Sequence, residues 1–140
     1  LDNRTTAMTG RQGNPFNGVT LQGRPSRELH IEAVVAAIGV EDVRTVDPND
    51  AAAVRAALKE ATAADDISVI VFRSPCVLLE RKAARPFWVN GSCTACGSCA
   101  TLGCPAIARD ESGVASIDTG LCIGCGQCEQ YCRFNAIVLE

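Results

Sequence analysis

The residues with the clearest chemistry are cysteines, of which the 140-residue chain has nine. Eight of them lie between residues 93 and 132, in two runs with the same spacing. Each run places three cysteines as C-x2-C-x2-C, and one more cysteine follows a few residues later. Three thiolates this close together can bind three irons of one cubic cluster, and the small residues between them let the backbone coil tightly around it. The pattern predicts two [4Fe–4S] clusters that carry electrons.

A cubic cluster needs a fourth ligand from outside its own group of three. In bacterial two-cluster ferredoxins, the trailing cysteine of each run ligates the cluster of the other run. With such crossing ligands, the clusters act as the core of a domain that is too small to have much apolar core of its own. The rule predicts that cluster one is bound by Cys93, Cys96, Cys99 and Cys132, and cluster two by Cys122, Cys125, Cys128 and Cys104.

Zinc and disulfides are the alternative interpretations of these cysteines. A structural zinc site usually takes two cysteines from each of two separated loops, whereas here three cysteines crowd into one loop, twice. Disulfide scaffolds are typical of small secreted domains, but the first 92 residues contain only Cys76. Two departures from the usual cluster pattern remove no ligand: four residues rather than three precede Cys104, and Arg133 follows Cys132 where proline is usual. We expect Arg133 to affect the local turn or the potential of the nearby cluster.

The charge distribution supports an electron carrier and argues against a nucleic-acid-binding protein. Residues 93–140 carry two basic and five acidic side chains, which account for the whole net charge of −3. Nucleic-acid binding needs a basic footprint, and the basic run of Arg81, Lys82 and Arg85 is better read as a solvated linker. No apolar run approaches the roughly 18 residues that a membrane helix needs. The cysteine usage favours a reducing compartment, so we expect a cytoplasmic protein with neither nucleic-acid nor membrane partners.

The elements before the cysteines indicate the end of a doubly wound α/β domain. Residues 1–28 are rich in glycine and proline and are predicted to form a long loop. The pattern that follows predicts helix, strand, helix and strand in turn, at 31–38, 43–46, 51–63 and 67–72. The last of these is nearly all apolar, which is typical of a strand buried on both faces of a parallel sheet. On the second helix, we expect Val54, Leu58 and Ala61 to share one face.

The expected fold class is therefore α/β followed by α+β. We expect an α/β domain at residues 1–80, a linker at 81–90 and a ferredoxin-type domain at 91–140. In the last of these, short strands are predicted near residues 115–118 and 136–139. Cys76 follows the second predicted strand, and is either a small buried residue or the lining of a site at the strand's carboxyl end. His30 is expected to be an ordinary residue at a helix start.

Four segments together resemble one enzyme family over nearly the whole chain. They are Leu-Asp-Asn-Arg-Thr-Thr-Ala-Met-Thr-Gly at 1–10, Ile-Gly-Val-Glu-Asp-Val-Arg-Thr-Val-Asp-Pro at 38–48, Val-Ile-Val-Phe-Arg-Ser-Pro-Cys at 69–76, and the double cysteine run. The combination resembles the thiamine-diphosphate-dependent 2-oxoacid:ferredoxin oxidoreductases, in particular the alpha subunits of those that act on indolepyruvate. The resemblance implies that 1–80 is the C-terminal part of a thiamine-diphosphate-binding domain.

The resemblance also implies a second metal site at the start of the chain. The Asn3 side chain and the Thr5 carbonyl would ligate the Mg²⁺ that holds the diphosphate, because Mg²⁺ prefers hard oxygen ligands. Residues 6–12 would shape the thiamine site, although Arg11 stands where the family often has histidine. The residues expected to bind the cofactor are Asn3, Thr5, Thr6, Thr9, Gly10 and Gln12. No catalytic residue is assigned.

The implied reaction is the oxidative decarboxylation of an aryl 2-oxoacid such as indolepyruvate to an acyl-coenzyme A. The implied partners are a beta subunit, external ferredoxin, coenzyme A and the 2-oxoacid. The Gly-Asp half of the thiamine motif precedes this loop in the family and is not in the chain, so we expect a C-terminal portion that is inactive alone. The alternatives are a non-catalytic two-cluster electron-transfer module, or a related enzyme for another 2-oxoacid.

Overall fold

The computed structural model describes residues 1–6, 11–79 and 85–139. The chain divides into two compact units, Leu1–Arg81 and Lys82–Glu140. Within the described residues, the first unit has one two-stranded sheet and the second has two. No helix within the described ranges is long and apolar enough to cross a membrane.

The first unit contains the four regular elements that the sequence pattern predicts. Helix α1 spans Ile31–Ala37, strand β1 Asp42–Val46, helix α2 Ala51–Ala63 and strand β2 Ser68–Phe72. Strands β1 and β2 pair in parallel, with Asp42 opposite Ser68. The parallel pairing and the helix–strand–helix–strand order are confirmed. In the described part of the long loop before α1, the only helical segment is a short 3-10 turn at Pro15–Asn17.

The start of the chain pairs with the residues that follow β2. Asp2 pairs in parallel with Arg73, the Asp2 N–H donates to the Phe72 carbonyl at 2.8 Å, and the Ser74 N–H donates to the Asp2 carbonyl at 3.1 Å. The Cys76 N–H then donates to the Asn3 carbonyl at 3.0 Å. Residues 2 and 3 therefore lie beside the carboxyl end of β2, where open α/β sheets bind their ligands.

Two expectations for the first unit need correction. On α2 the buried residue is Ala57, whereas Leu58 is 46% exposed, so the packed face of the helix is Val54, Ala57 and Ala61 rather than Val54, Leu58 and Ala61. Strand β2 is buried at Val71 only, and its other residues are half-buried. Both differences arise because the apolar pattern of a segment does not say which of its apolar residues the neighbouring elements cover.

The second unit is built from two small antiparallel sheets. Strand β3 (Phe87–Val89) pairs with β6 (Ile137–Leu139), and β4 (Ile107–Arg109) pairs with β5 (Ala115–Ile117). Helix α3 covers Gln127–Tyr131. The strands expected near 115–118 and 136–139 are confirmed, whereas β3 lies within 81–90, the segment expected to be a linker. A three-residue strand shows too little alternation to be recognised before its partner is known.

The core of the second unit consists largely of cysteines and small residues. Its buried members are Phe87, Cys99, Ala115, Cys128 and Ile137. Seven further cysteines and apolar side chains, which are partly buried, pack around them. With so few large apolar residues, the cysteine runs occupy the place of an ordinary hydrophobic core, as expected for a small domain that needs a metal centre.

Candidate metal centres and cofactor loop

The first cysteine cavity brings Cys132 to the first run. It is lined by all four cysteines assigned to cluster one. Cys132 lies there because the segment that follows it runs alongside the end of β3. The Asn90 N–H donates to the Ala136 carbonyl at 2.8 Å, and the Cys93 N–H donates to the Asn90 carbonyl at 3.3 Å. The Ala136 N–H donates to the Cys132 sulfur at 3.3 Å. The β3–β6 pairing therefore carries the trailing cysteine of the second run to the first.

The second cysteine cavity has the reciprocal composition. It encloses about 360 Å³ and is lined by Cys104 of the first run together with Cys122, Cys125 and Cys128 of the second. Phe87, Leu102, Ile107, Ile117 and Leu121 form much of the apolar remainder of its wall. The Phe87 N–H donates to the Cys122 sulfur at 3.5 Å. Each cavity therefore gathers three cysteines of one run and the last cysteine of the other.

The two runs also repeat one backbone conformation. In the first run Ala95 and Gly97 have φ values of 58° and 77°, and in the second Gly124 and Gly126 have 68° and 73°. These residues occupy the third and fifth positions of each run. Left-handed residues reverse the chain between successive cysteines, so that all three side chains turn toward one cavity. The repeat seen in the sequence is therefore also a repeat in structure.

Burial differs among the thiols and shifts their pKa values in different directions. Burial raises the pKa of Cys128 to about 11 and also raises the pKa of Cys99. Cys96 is exposed, and hydrogen bonding by the Ser98 N–H lowers its pKa. A buried thiolate is unfavourable unless a cation compensates its charge. Binding of iron, which requires deprotonated thiols, would supply that compensation.

The donor set fits cubic clusters. Each cavity offers four thiols, the ligands that four-iron clusters take. Among the described residues, no three His, Cys, Asp or Glu side chains converge closely enough to hold a single metal ion. The two cavities differ in space: the one at Cys93–Cys99 holds only about 20 Å³, room for about one water molecule. A four-iron cube is larger than one water molecule, so this cavity would have to widen to hold it.

The cofactor loop begins with an ordered turn at residues 2–6. The Asn3 side-chain oxygen accepts the Thr5 N–H at 3.2 Å, and an amide oxygen has a second lone pair for a metal. The buried Thr5 hydroxyl donates to the Gln12 carbonyl at 2.9 Å, and the Thr6 N–H donates to the same carbonyl at 2.8 Å. The ends of the 6–12 loop are thus joined, with Thr6 and Gln12 exposed.

At its described residues, this loop carries donor types of the kind that the resemblance implies. Asn3 and Thr5 lie in one turn and carry an amide oxygen and a carbonyl oxygen, which are hard donors of the kind that Mg²⁺ takes. Thr9 and Gly10 lie outside the described residues. Cys76 is half-buried, and its backbone N–H donates to the Asn3 carbonyl. This position agrees both with a small packed residue and with a residue that lines a site at the carboxyl end of β2. His30 is exposed and precedes α1 without capping it through its side chain.

The ion-pair network that lies beside the cofactor loop was not predicted from the sequence. Arg73 Nε lies 2.7 Å from the Asp2 carboxylate, and Arg73 Nη1 lies 2.7 Å from the Glu32 carboxylate. Asp2 is 5% exposed. The hydrogen bond from Arg73, followed by one from Thr45, lowers the pKa of Glu32 to about 2. The only sequence signal was an acidic residue directly before Asn3 and a basic one directly after an apolar strand.

Comparison with known proteins defines the class. Residues 1–72 match the family described as "Thiamine pyrophosphate enzyme, C-terminal TPP binding domain". The chain therefore belongs to the thiamine pyrophosphate enzyme family. Residues 115–138, which contain the second cysteine run, match the family described as "4Fe-4S binding domain".

Particular relatives narrow the class further. The chain is similar to proteins called "Indolepyruvate oxidoreductase subunit IorA". It is 40% identical to the one from Thermococcus kodakarensis over 97% of the chain. It is 37% identical to the one from Archaeoglobus fulgidus over 98%, and 39% identical to the one from Methanothermobacter thermautotrophicus over 100%. The chain spans only 22% or 23% of the length of these relatives. No solved structure gives a significant match.

Proposed function

We propose that the chain is part of a 2-oxoacid:ferredoxin oxidoreductase subunit that decarboxylates aryl 2-oxoacids such as indolepyruvate oxidatively to acyl-coenzyme A. Two [4Fe–4S] clusters pass the electrons to ferredoxin, and a beta subunit completes the enzyme in the cytoplasm. The observation that carries the proposal is that two cavities of four cysteines occur in the same chain as a thiamine pyrophosphate enzyme domain. The aryl 2-oxoacid is proposed from the printed names of the relatives.

The two cofactors divide the chemistry between the units. When bound, thiamine diphosphate supplies carbanion stabilisation, and the clusters supply one-electron acceptors of low potential. In the first unit, the Asn3 side chain and the Thr5 carbonyl would hold Mg²⁺, and Thr6, Thr9, Gly10 and Gln12 would contact the cofactor. In the second unit, the cysteines would hold the clusters and the apolar walls of the cavities would exclude water.

The chain is proposed to hold two clusters, with ligands that cross between the runs. Anaerobic reconstitution with iron and sulfide, followed by chemical counting of both, tests this. About eight irons and eight sulfides per chain are expected from two four-iron clusters. About four of each, or bound zinc in place of iron, would contradict the two-cluster assignment.

The thiamine site is proposed to be shared with sequence outside these 140 residues. The chain alone is expected not to bind thiamine diphosphate, because Asn3 and Thr5 supply only part of the octahedral set that Mg²⁺ requires. Calorimetry of the chain with thiamine diphosphate and Mg²⁺ is the measurement. Micromolar Mg²⁺-dependent binding would show that the site is complete within the chain.

A further inference from the structure

Arg73 joins three separate parts of the first unit through its guanidinium group. Its Nε donates to the Asp2 carboxylate at 2.7 Å, and its Nη1 lies 2.7 Å from the Glu32 carboxylate on α1. Glu32 in turn accepts the Thr45 hydroxyl of β1 at 2.6 Å. The Asp2 side chain is only 1% exposed, so its charge is compensated mainly by Arg73 and by the more distant Arg4, whose Nε lies 3.6 Å away.

The carboxylate of Asp2 also determines the course of the chain after Asn3. While one oxygen accepts from Arg73, the other accepts the backbone N–H of Arg4 at 3.1 Å. Arg4 has a left-handed backbone, with φ of 62°, which is unfavourable for a residue with a side chain. The turn places the Thr5 N–H within 3.2 Å of the Asn3 side-chain oxygen. The geometry of Asn3 and Thr5 thus depends on the orientation of the Asp2 carboxylate.

We propose that Arg73 is a positioning residue for the Mg²⁺ site, acting through Asp2 on Asn3 and Thr5. This inference rests on the proposed function, because it assigns a role toward the Mg²⁺ that would hold thiamine diphosphate. Mg²⁺ demands a near-ideal octahedral geometry, so a small rotation of the Asn3 side chain or the Thr5 carbonyl weakens binding. Removing Arg73 leaves the buried Asp2 carboxylate without its closest cation, and such a group turns toward water or other donors.

A purely structural role is the competing interpretation, in which Arg73 only links β2 to α1. Arg44 provides a matched control, because it makes the same kind of network in the same sheet. Arg44 Nε donates to the Asp42 carboxylate at 2.7 Å, and Arg44 Nη1 pairs with Glu60 on α2. Its network does not include residues 2–6. Loss of stability alone would lower the melting temperature without changing the Mg²⁺ requirement, whereas loss of positioning would raise the Mg²⁺ requirement in Arg73 variants and not in Arg44 variants.

The test uses the full-length subunit proposed above and measures the Mg²⁺ concentration that half-saturates thiamine diphosphate binding, by calorimetry. For Arg73→Met, this concentration is expected to rise at least tenfold. For Arg73→Lys, a smaller increase is expected, because lysine keeps the positive charge but cannot contact Asp2 and Glu32 at the same time, as the guanidinium does. For Arg44→Met, a change of less than twofold is expected. An equal shift in the Arg44 and Arg73 variants, or a lower melting temperature of Arg73→Met with an unchanged Mg²⁺ requirement, would overturn the inference.

Asp2→Asn provides a second variant in case Arg73→Met does not fold. It keeps the shape of the side chain but removes the charge that Arg73 binds, and it is expected to raise the Mg²⁺ requirement in the same direction. An unchanged requirement in Asp2→Asn would overturn the inference. Failure of the proposed function is distinguishable from this outcome, because the wild-type subunit itself would then show no Mg²⁺-dependent binding.

Discussion

Ala95 and Gly124 occupy the same position in the two cysteine runs and share a left-handed backbone, with φ of 58° and 68°. Only the second of these positions holds glycine, the residue that this conformation favours. A side chain in the left-handed region costs roughly 1–2 kcal/mol relative to the right-handed region, whereas glycine has no such cost. The first run therefore contains local strain that the second run lacks.

Replacing Ala95 by glycine is expected to stabilise the second unit, and replacing Gly124 by alanine to destabilise it. Each effect should be on the order of 1 kcal/mol, which shifts the melting temperature of a 60–100-residue domain by roughly 4–8 °C. Anaerobic thermal unfolding of the reconstituted chain is the measurement. Ala108→Gly in β4 is the control, since a glycine within a strand weakens it. A decrease of stability in Ala95→Gly would contradict the explanation.

The crossing of the ligands can be tested with two double variants. If the ligands cross as the cavities indicate, Cys93→Ala with Cys132→Ala removes two ligands of one cluster and leaves the other cluster intact. Cys93→Ala with Cys104→Ala removes one ligand from each cluster and leaves neither intact. Electron paramagnetic resonance of the reduced chain, together with iron counting, distinguishes the two cases.

The expected result is one intact [4Fe–4S] signal and about four irons in the first variant, and no intact signal in the second. The reverse pattern would show that each run binds its own trailing cysteine. Cys76→Ala lies in the first unit and is the control, and it should retain the iron content of the wild type.

The Arg73 network predicts a pH dependence of the first unit. Since hydrogen bonding by Arg73 and then by Thr45 lowers the pKa of Glu32 from 4.5 to about 2, the ionised Glu32 is preferred in the folded state. Its contribution to stability is fully present above about pH 4.5 and is lost as the pH falls from 4.5 toward 2. Asp2 acts in the same direction: burial alone would raise its pKa, but the hydrogen bonds from Arg73 and the Arg4 N–H outweigh it and lower the pKa.

Far-ultraviolet circular dichroism, which reports mainly on α2 in the first unit, can follow this acid transition. Glu32→Gln is expected to lower the stability at neutral pH and to make it less dependent on pH between 5 and 3. Glu41→Gln, at an exposed position before β1, should leave the pH dependence unchanged. An equal pH dependence in wild type and Glu32→Gln would show that this carboxylate does not contribute.

Asp50 caps α2, the longest helix within the described residues. Its side-chain oxygen accepts the N–H groups of Ala52 and Ala53 at 3.0 and 2.9 Å. Asp50→Ala is expected to lower the free energy of unfolding of the first unit by about 1 kcal/mol, because two N–H groups of the first turn lose their acceptor. Asp50→Asn keeps an acceptor and should cost much less. Urea unfolding followed by circular dichroism is the measurement, and equal losses in both variants would contradict the capping role.

Much of the chemistry is determined by the sequence alone, because it depends on local spacing. Three cysteines within one short loop must face a common centre if small residues let the chain reverse between them, and the positive φ values at positions three and five of each run show these reversals. Strand β2 and helix α2 are equally local in origin: one is a nearly continuous apolar run, and the other is a helix with Asp50 at its start.

The tertiary structure decided the features that join distant residues. Three-residue strands such as β3 acquire their hydrogen bonds only from a partner far along the chain, here β6, and that pairing carries Cys132 to the first run. The Arg73 network is also tertiary, since Asp2, Glu32 and Arg73 lie on three different elements and their charges are compensated only once the sheet has formed. Spacing can therefore predict candidate ligand residues, but the contacts around Asn3 and Thr5 arise only when the chain brings its distant segments together.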